Sequence, residues 1–264
     1  MRLASERTGE GLPTVLLHGL TATRKYVVMG SKTLQRSGHD VLAYDARGHG
    51  ESDPPADRSA YTYADLAGDV GRQMDAAEFR AALLVGSSMG AHTAVRFALD
   101  RPDRVSGLVL ITPAYVPGTP GGEDYSRWDA RAEGLRSGGV DGFIAADDEL
   151  RRLGPMQDLV TQVVRQRLSL HRHPGAVADA LVAVPRSKPF GSIAELSSIQ
   201  VPVLVVGDRD ELDPGHPLAI AEQWAAAIPR AGLLVEPPGE RPLAWQGGAI
   251  SRAIAQMAED EGLR

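Results

Sequence analysis

The stretch Ala81-Ala82-Leu83-Leu84-Val85-Gly86-Ser87-Ser88-Met89-Gly90 decides the fold class of this chain. It begins with the continuous apolar run Ala81–Val85 and leads into a segment with helical spacing, Met89–Asp100. A short continuous apolar run is typical of a strand that is covered on both faces of a parallel sheet. The stretch therefore predicts a strand that turns sharply into a helix, with Ser88 at the turn.

The residue types at this turn suit a nucleophilic serine. Gly86 and Gly90 lack side chains that would collide with the strand and the helix, so the chain can reverse within a few residues. Ser88 would then project its hydroxyl above the sheet edge at a helix N-terminus, and the N–H of Met89 would point to a developing oxyanion. A chance Gly-x-Ser-x-Gly in a loop is the alternative, which the strand before it and the helix after it disfavour.

Similar runs along the chain predict an open, doubly wound α/β sheet. Helical segments separate most of these runs, and strand–helix alternation is the pattern of such a sheet. The predicted strands are Thr14–Leu17, Val41–Tyr44, Ala81–Val85, Val105–Ile111, Val201–Val206 and Gly232–Glu236. The predicted helices of this part are Val27–Ser37, Tyr61–Phe79, Met89–Asp100, Leu218–Ile228 and Leu243–Glu259.

One interval breaks the alternation. Between about Pro113 and Ser198 we find only helical patterns, at Tyr125–Ser137, Val140–Leu153, Gln157–Leu170 and Ala176–Val184. Consecutive helices cannot each return to the same sheet without a strand between them, so we interpret residues 113–198 as a helical lid inserted into a core formed by residues 1–112 and 199–264. Ordinary sheet-covering helices are the alternative.

Composition excludes several classes of protein. The chain has 264 residues, a net charge of −6 and no cysteine, which excludes disulfides and thiolate chemistry and gives no basic block for nucleic acid. The N-terminus is polar and no apolar run reaches the roughly 18 residues of a membrane span, so we expect a cytoplasmic protein without a membrane partner. No metal or cofactor motif is present, and a small-molecule substrate is the expected partner. The sequence leaves the oligomeric state open.

The order of the motifs resembles the α/β-hydrolase superfamily, in its lid-bearing branch of esterases and C–C hydrolases. The matching elements are His18-Gly19 after the first apolar run, the loop Asp45–Ser52, the turn at Ser88 and the loop Gly207–Pro214. The resemblance implies that Asp210 is the acid of a catalytic triad. From its place after the first strand, we expect the N–H of Leu20 to join that of Met89 in an oxyanion hole, and His18 to be structural.

One position departs from that family. Its last strand leads into a loop that carries the triad histidine, but here Gly232–Glu236 leads into Pro237-Pro238-Gly239-Glu240-Arg241-Pro242, and Glu240 takes the position of the histidine. No histidine follows His216 in the chain. A serine hydroxyl needs a base to become a good nucleophile, so another group must act, or the protein only binds its ligand.

Three side chains are candidates for the base. Glu240 is preferred, because two carboxylates sharing a small site can hold one proton near neutral pH. His216 precedes the helix Leu218–Ile228 and could equally be a surface residue, while His92 lies one helical turn after Ser88 and suits buried packing. The other histidines are expected on surface turns or in the lid, namely His39, His49, His171 and His173.

These features favour a hydrolase that acts on an ester, a thioester or a related acyl compound through Ser88. Lid residues Trp128, Phe143 and Met156 would line an apolar pocket or form the core of the lid. The alternatives are a catalytically impaired protein of the same fold that binds a small molecule, and a lyase or isomerase that uses the oxyanion site.

Overall fold

The computed structural model describes residues 1–118, 124–209 and 215–263. Across these ranges the chain forms a seven-stranded sheet with the strand order β1-β3-β2-β4-β5-β6-β7. All neighbouring strands are parallel except β1, which pairs antiparallel with β3 at one edge. The strands are β1 Ser5–Thr8, β2 Leu12–Leu17, β3 His39–Tyr44, β4 Ala82–Ser87, β5 Val105–Ile111, β6 Val203–Gly207 and β7 Ala231–Val235.

Helices cover both faces of this sheet. Residues of α2, α3 and α8 pack in one hydrophobic cluster against the sheet, and α9 packs with Leu34 of α1 in a second cluster on the other face. Successive residues of β4 alternate between the two clusters, with Leu84 in the first and Leu83 and Val85 in the second. The bounds are α1 Thr33–Arg36, α2 Tyr63–Ala76, α3 Met89–Asp100, α8 Leu218–Ala227 and α9 Gly247–Asp260.

Burial on both faces explains why the predicted strands are continuous apolar runs rather than alternating ones. Each predicted run coincides with one of the strands β2 to β7 to within a few residues. The predicted doubly wound α/β sheet is therefore confirmed. Two local predictions differ. Strand β1 was not predicted, and of the helix predicted at Val27–Ser37 only Thr33–Arg36 is helical, as α1.

The helices between β5 and β6 have a hydrophobic core of their own. They are α4 Ser126–Ala146, α5 Asp148–Arg151, α6 Gln157–Leu168 and α7 Pro174–Ala183, and we call residues 124–184 the helical segment. A kink at Gly139, with φ of 61°, divides α4 close to the break predicted between two helices. A Cβ on Gly134 would lie 2.3 Å from the carbonyl oxygen of Gly142, so the two halves of α4 pack closely.

Side-chain contacts also join the helical segment to the rest of the chain. Leu20, in the turn after β2, packs against the hydrophobic cluster of the segment. The guanidinium of Arg58 forms a bidentate ion pair with Asp179 of α7, with N–O distances of 2.8 and 2.7 Å. Within the described ranges, none of the helices combines the length and the apolar character needed to cross a bilayer.

Candidate active site

Ser88 occupies a strained turn between β4 and α3. Its φ is 51° and its ψ is −112°, a backbone conformation that non-glycine residues rarely adopt. A Cβ on Gly86 would lie 2.2 Å from the carbonyl oxygen of Gly90, and a Cβ on Gly90 would lie 2.0 Å from that of Leu17. Glycine is therefore required at both positions, because strand β4, helix α3 and strand β2 approach each other too closely for a side chain.

The turn aims the serine hydroxyl at a histidine. The Oγ of Ser88 and the Nε2 of His216 are 2.8 Å apart, which is hydrogen-bonding distance, and both residues are partly buried. Ser88 follows β4 and His216 lies between the end of β6 and the start of α8, with only β5 between the two strands. Because parallel strands end at the same sheet edge, residues 128 positions apart meet above it.

Ser88 thus has a different partner from the one that the sequence predicts. Glu240 is exposed on the turn after β7, where its N–H donates to the carbonyl oxygen of Pro237 at 3.2 Å. The ring beside the Ser88 hydroxyl belongs to His216, which the sequence offered only as an alternative base. The predicted acid, Asp210, lies outside the described residues.

A buried carboxylate fastens the loop after β7 to the loop after β6. Glu236 accepts hydrogen bonds from the N–H of Arg209 at 2.6 Å and from that of Leu243 at 3.4 Å. Asp208, also buried, accepts from the N–H of Ala244 at 3.3 Å. These carboxylates accept hydrogen bonds from backbone N–H groups near the site, so they shape the two loops.

The two predicted oxyanion donors lie on either side of the serine turn. Met89 is the first residue of α3, where backbone N–H groups have no intrahelical acceptor and the helix dipole is positive. Leu20 follows Gly19, where a Cβ would lie 3.4 Å from the Cβ of Ser88, so this turn packs directly on the serine. Among the described residues, the N–H groups of Leu20 and Met89 donate no hydrogen bond to the protein.

His18 is held as a structural residue. The N–H of Ala46 donates to its Nε2 at 2.8 Å, so the ring proton lies on Nδ1, which donates to the carbonyl oxygen of Gly19 at 2.8 Å. Desolvation lowers the pKa of His18 and keeps the ring neutral. Both nitrogens are engaged by the backbone, which agrees with the structural part expected from the sequence.

His92 is buried beneath the site. The N–H of Ala114 donates to its Nε2 at 3.0 Å, so Nδ1 carries the proton and donates to the hydroxyl of Tyr63 at 2.8 Å. Burial, with a smaller contribution from His216, lowers the pKa of His92 to about 3. Both nitrogens are occupied, which fits the packing interpretation.

The expectation that His39 and His49 sit on surface turns is wrong. His39 is buried and its Nδ1 lies 2.9 Å from the hydroxyl of Thr14. His49 is fully buried, and its ring centroid lies 5.3 Å from that of His18 and 5.5 Å from that of His171. Their sequence positions between turn residues did not reveal that distant segments fold over them.

Of the three apolar residues considered for a pocket, two belong to the core of the helical segment. Phe143 is buried there and Trp128 packs against the same cluster. The guanidinium groups of Arg127 and Arg131 each lie 5.0 Å from the ring centre of Trp128. Met156 lies in a short 3₁₀ turn between α5 and α6 and is partly buried.

Known proteins are similar to this chain in sequence and in fold. The chain is 31% identical over 243 residues to 2-hydroxy-6-oxononadienedioate/2-hydroxy-6-oxononatrienedioate hydrolase 2 of Pseudomonas putida, which covers 86% of this chain and 80% of that protein. It is 28% identical to the dihydrolipoyllysine-residue acetyltransferase component of the acetoin cleaving system of Cupriavidus necator, where the match covers 90% of this chain but only 59% of the relative.

One solved structure has the same fold over almost the entire chain. A thermophilic esterase from Thermogutta terrifontis superposes with a TM-score of 0.78 at 27% identity and covers 98% of this chain and 93% of its own. The family model described as alpha/beta hydrolase fold matches residues 13–248. This match takes in all the strands from β3 to β7, the serine turn and the loop that carries His216. The chain therefore belongs to the alpha/beta hydrolase fold family.

Proposed function

We propose that this protein is a serine hydrolase in which Ser88 attacks an acyl carbon and His216 is the general base. The observation that carries the proposal is the 2.8 Å contact between Ser88 Oγ and His216 Nε2. With its proton on Nδ1, the imidazole accepts the hydroxyl proton through Nε2 as the oxygen attacks, and later returns it to the leaving group. Ester and thioester substrates suit this chemistry, and the hydrolases among its relatives support it.

The remaining roles follow from position. The N–H groups of Leu20 and Met89 would bind the oxyanion of the tetrahedral intermediate, which supports attack at a carbonyl. Asp210 would be the acid that orients His216, as the family resemblance implies. The helical segment would act as a lid above the sheet edge. Glu240, exposed on its turn, would have no part in proton transfer.

The case for a protein that only binds a ligand rested on the missing histidine of the last loop. His216 supplies an imidazole within hydrogen-bonding distance of Ser88, so that argument loses its main support. The strained backbone of Ser88 also favours catalysis, because strain of this kind costs about 1–3 kcal/mol and has no evident use in a binding module.

The experiment combines covalent labelling with turnover. We expect a fluorophosphonate to add to Ser88 and the protein to hydrolyse short p-nitrophenyl esters, with S88A abolishing both. H216Q should lower kcat by about 10⁴-fold or more, as expected when a triad base is lost. The matched control is H173Q, which removes a partly exposed histidine of the helical segment and should leave kcat within about twofold.

E240Q separates the two candidate bases. If His216 is the base, E240Q retains the activity of the unmodified protein, whereas a loss as large as that of H216Q would assign the role to Glu240. Absence of both labelling and ester turnover in the folded, unmodified protein would refute the hydrolase and favour the ligand-binding alternative.

A further inference from the structure

A histidine of the helical segment lies buried against the turn that follows β2. His171, between α6 and α7, receives the N–H of Gly50 on its Nδ1 at 2.8 Å. A neutral imidazole with an accepting Nδ1 carries its proton on Nε2, and this N–H donates to the carbonyl oxygen of Thr21 at 2.9 Å. Both ring nitrogens therefore bind backbone groups outside the helical segment, one in the turn after β2 and the other in the loop after β3.

Two peptide units link the hydrogen bond between His171 and Thr21 to the N–H of Leu20. The peptide between Thr21 and Ala22 is held at its carbonyl by His171, and its N–H donates to the carbonyl oxygen of Gly19 at 3.0 Å. That carbonyl belongs to the same planar peptide as the N–H of Leu20. The ring of His171 thus restrains the plane that contains the Leu20 N–H through a single intervening peptide.

The turn needs such a restraint. Thr21 has a φ of 69°, a left-handed conformation that is strained for a β-branched residue. Relaxation of Thr21 would rotate the peptides on either side of it. The hydrogen bond from His171 opposes that rotation, because it would leave a buried carbonyl and a buried imidazole N–H without partners.

The helical segment around His171 is itself docked on the loop after β3. The N–H of Arg172 donates to the carbonyl oxygen of Gly50 at 2.8 Å, while the N–H of Gly50 donates to His171. Gly50, with φ of 51°, has no room for a side chain, since a Cβ would lie 2.1 Å from the carboxylate of Asp45. The docking point is therefore closely packed, and the position of His171 depends on the segment being seated there.

We propose that His171 is a positioning residue that makes the orientation of the Leu20 N–H depend on docking of the helical segment. The inference rests on the proposed function, because it assigns Leu20 to the oxyanion site. In this arrangement the segment does more than cover the reaction site. Its departure removes the Thr21 restraint and leaves the hydrogen bond from His18 Nδ1 to the Gly19 carbonyl oxygen, which holds one atom of the Gly19–Leu20 peptide but does not fix its rotation, so the oxyanion donor is fully oriented only when the segment is seated.

Two substitutions of His171 distinguish the hydrogen bond made by Nδ1 from that made by Nε2. In H171Q the side-chain amide nitrogen reaches about as far as Nε2 and can donate to Thr21, whereas in H171N the shorter amide reaches only as far as Nδ1 and can accept from Gly50. We expect H171N to lower kcat for a p-nitrophenyl ester by about 10–100-fold with KM within twofold, and H171Q to restore kcat to within about threefold of the unmodified protein. H173Q is the control.

A transition-state readout separates positioning from general damage. An alkyl trifluoromethyl ketone forms a hemiketal oxyanion on the serine, so its inhibition constant should rise in H171N by the same factor as kcat falls. Hydrogen exchange should accelerate in residues 18–24 and stay unchanged in residues 86–92. Equal kcat, inhibition constant and exchange in H171N and the unmodified protein would overturn the inference.

The controls keep the two proposals apart. If the unmodified protein neither labels nor turns over, the proposed function fails, yet the exchange of residues 18–24 still tests whether His171 restrains the turn. If H171N does not fold, H171L provides the second test, since leucine fills much of the space of the ring but gives the carbonyl oxygen of Thr21 no donor. H171L with unchanged kcat and inhibition constant would also refute the positioning role.

Discussion

The buried histidines should make this protein lose stability in mild acid. Burial lowers the pKa of His92 to about 3 and that of His171 to about 4, while an unfolded histidine titrates near 6.5. The unfolded chain therefore binds protons first as the pH falls. The stabilisation is complete above about pH 6.5 and is lost as the pH falls toward the folded pKa values.

The size of the effect follows from these pKa values. Each pH unit between the unfolded and folded pKa costs about 1.36 kcal/mol per histidine, so between pH 7.5 and 5 each of the two loses about 2 kcal/mol and the pair about 4 kcal/mol. His18, His39 and His49, whose pKa values are also lowered by burial, would add to this loss. The pH range lies above the ordinary pKa values of Asp and Glu, so carboxylate titration contributes little.

The assay is urea unfolding followed by tryptophan fluorescence at several pH values between 7.5 and 5. The unmodified protein should lose about 4 kcal/mol or more across this range. H171Q, which removes one buried imidazole, should reduce the slope between pH 6 and 5 by about 1.2 kcal/mol per pH unit. A free energy of unfolding that is flat from pH 7.5 to 5, or identical slopes in the two proteins, would refute the reasoning.

Two further substitutions test the packing of the site and of the core by urea unfolding. G90A places a Cβ 2.0 Å from a carbonyl oxygen of β2 and should lower the free energy of unfolding by about 3 kcal/mol or prevent folding. The control G175A, exposed in α7, should change it by less than about 1 kcal/mol. Equal effects of the two substitutions would contradict the close approach at Gly90. D69A leaves the buried guanidinium of Arg47 without its carboxylate partner at 2.6 Å and should lower the free energy of unfolding by about 3 kcal/mol. The control D100A removes the partner of Arg96 on the surface of α3 and should lower it by less than about 1 kcal/mol. Comparable losses would argue against a buried ion pair at Asp69.

Sequence reasoning succeeded where one local pattern controls the structure. The strands from β2 to β7 are buried on both faces, so each appears as an apolar run regardless of its partners. The break in α4 was visible because Gly139 needs a positive φ. Strand β1 was missed for the complementary reason. Its residues Ser-Glu-Arg-Thr are polar and mostly exposed, and only pairing with β3 makes them a strand.

The site was harder to predict because it depends on long-range contacts. Ser88 could be identified from its own neighbours, but the identity of its partner depends on which loops meet at the sheet edge. Position along the chain favoured Glu240, since the family resemblance places the base after the last strand. The Gly-His-Pro stretch at His216, between β6 and α8, was the signal available in the sequence. His171 gave no local signal, because its partners are 121 and 150 residues away.

Under the proposed function, sheet geometry accounts for a base in the loop after β6 in place of one after β7. Strands β4 and β6 are separated by β5 alone, whereas β7 lies one strand further away. Neighbouring strands are about 4.8 Å apart, so the loop after β6 starts about 4.8 Å closer to Ser88. A loop after β7 must reach back over both β6 and β5, whereas His216 needs only to reach over β5. In the proposed enzyme, moving the base to the nearer loop leaves the β7 loop without a proton to transfer. This is consistent with the exposed Glu240 and with Glu236 serving instead to tie the two loops together.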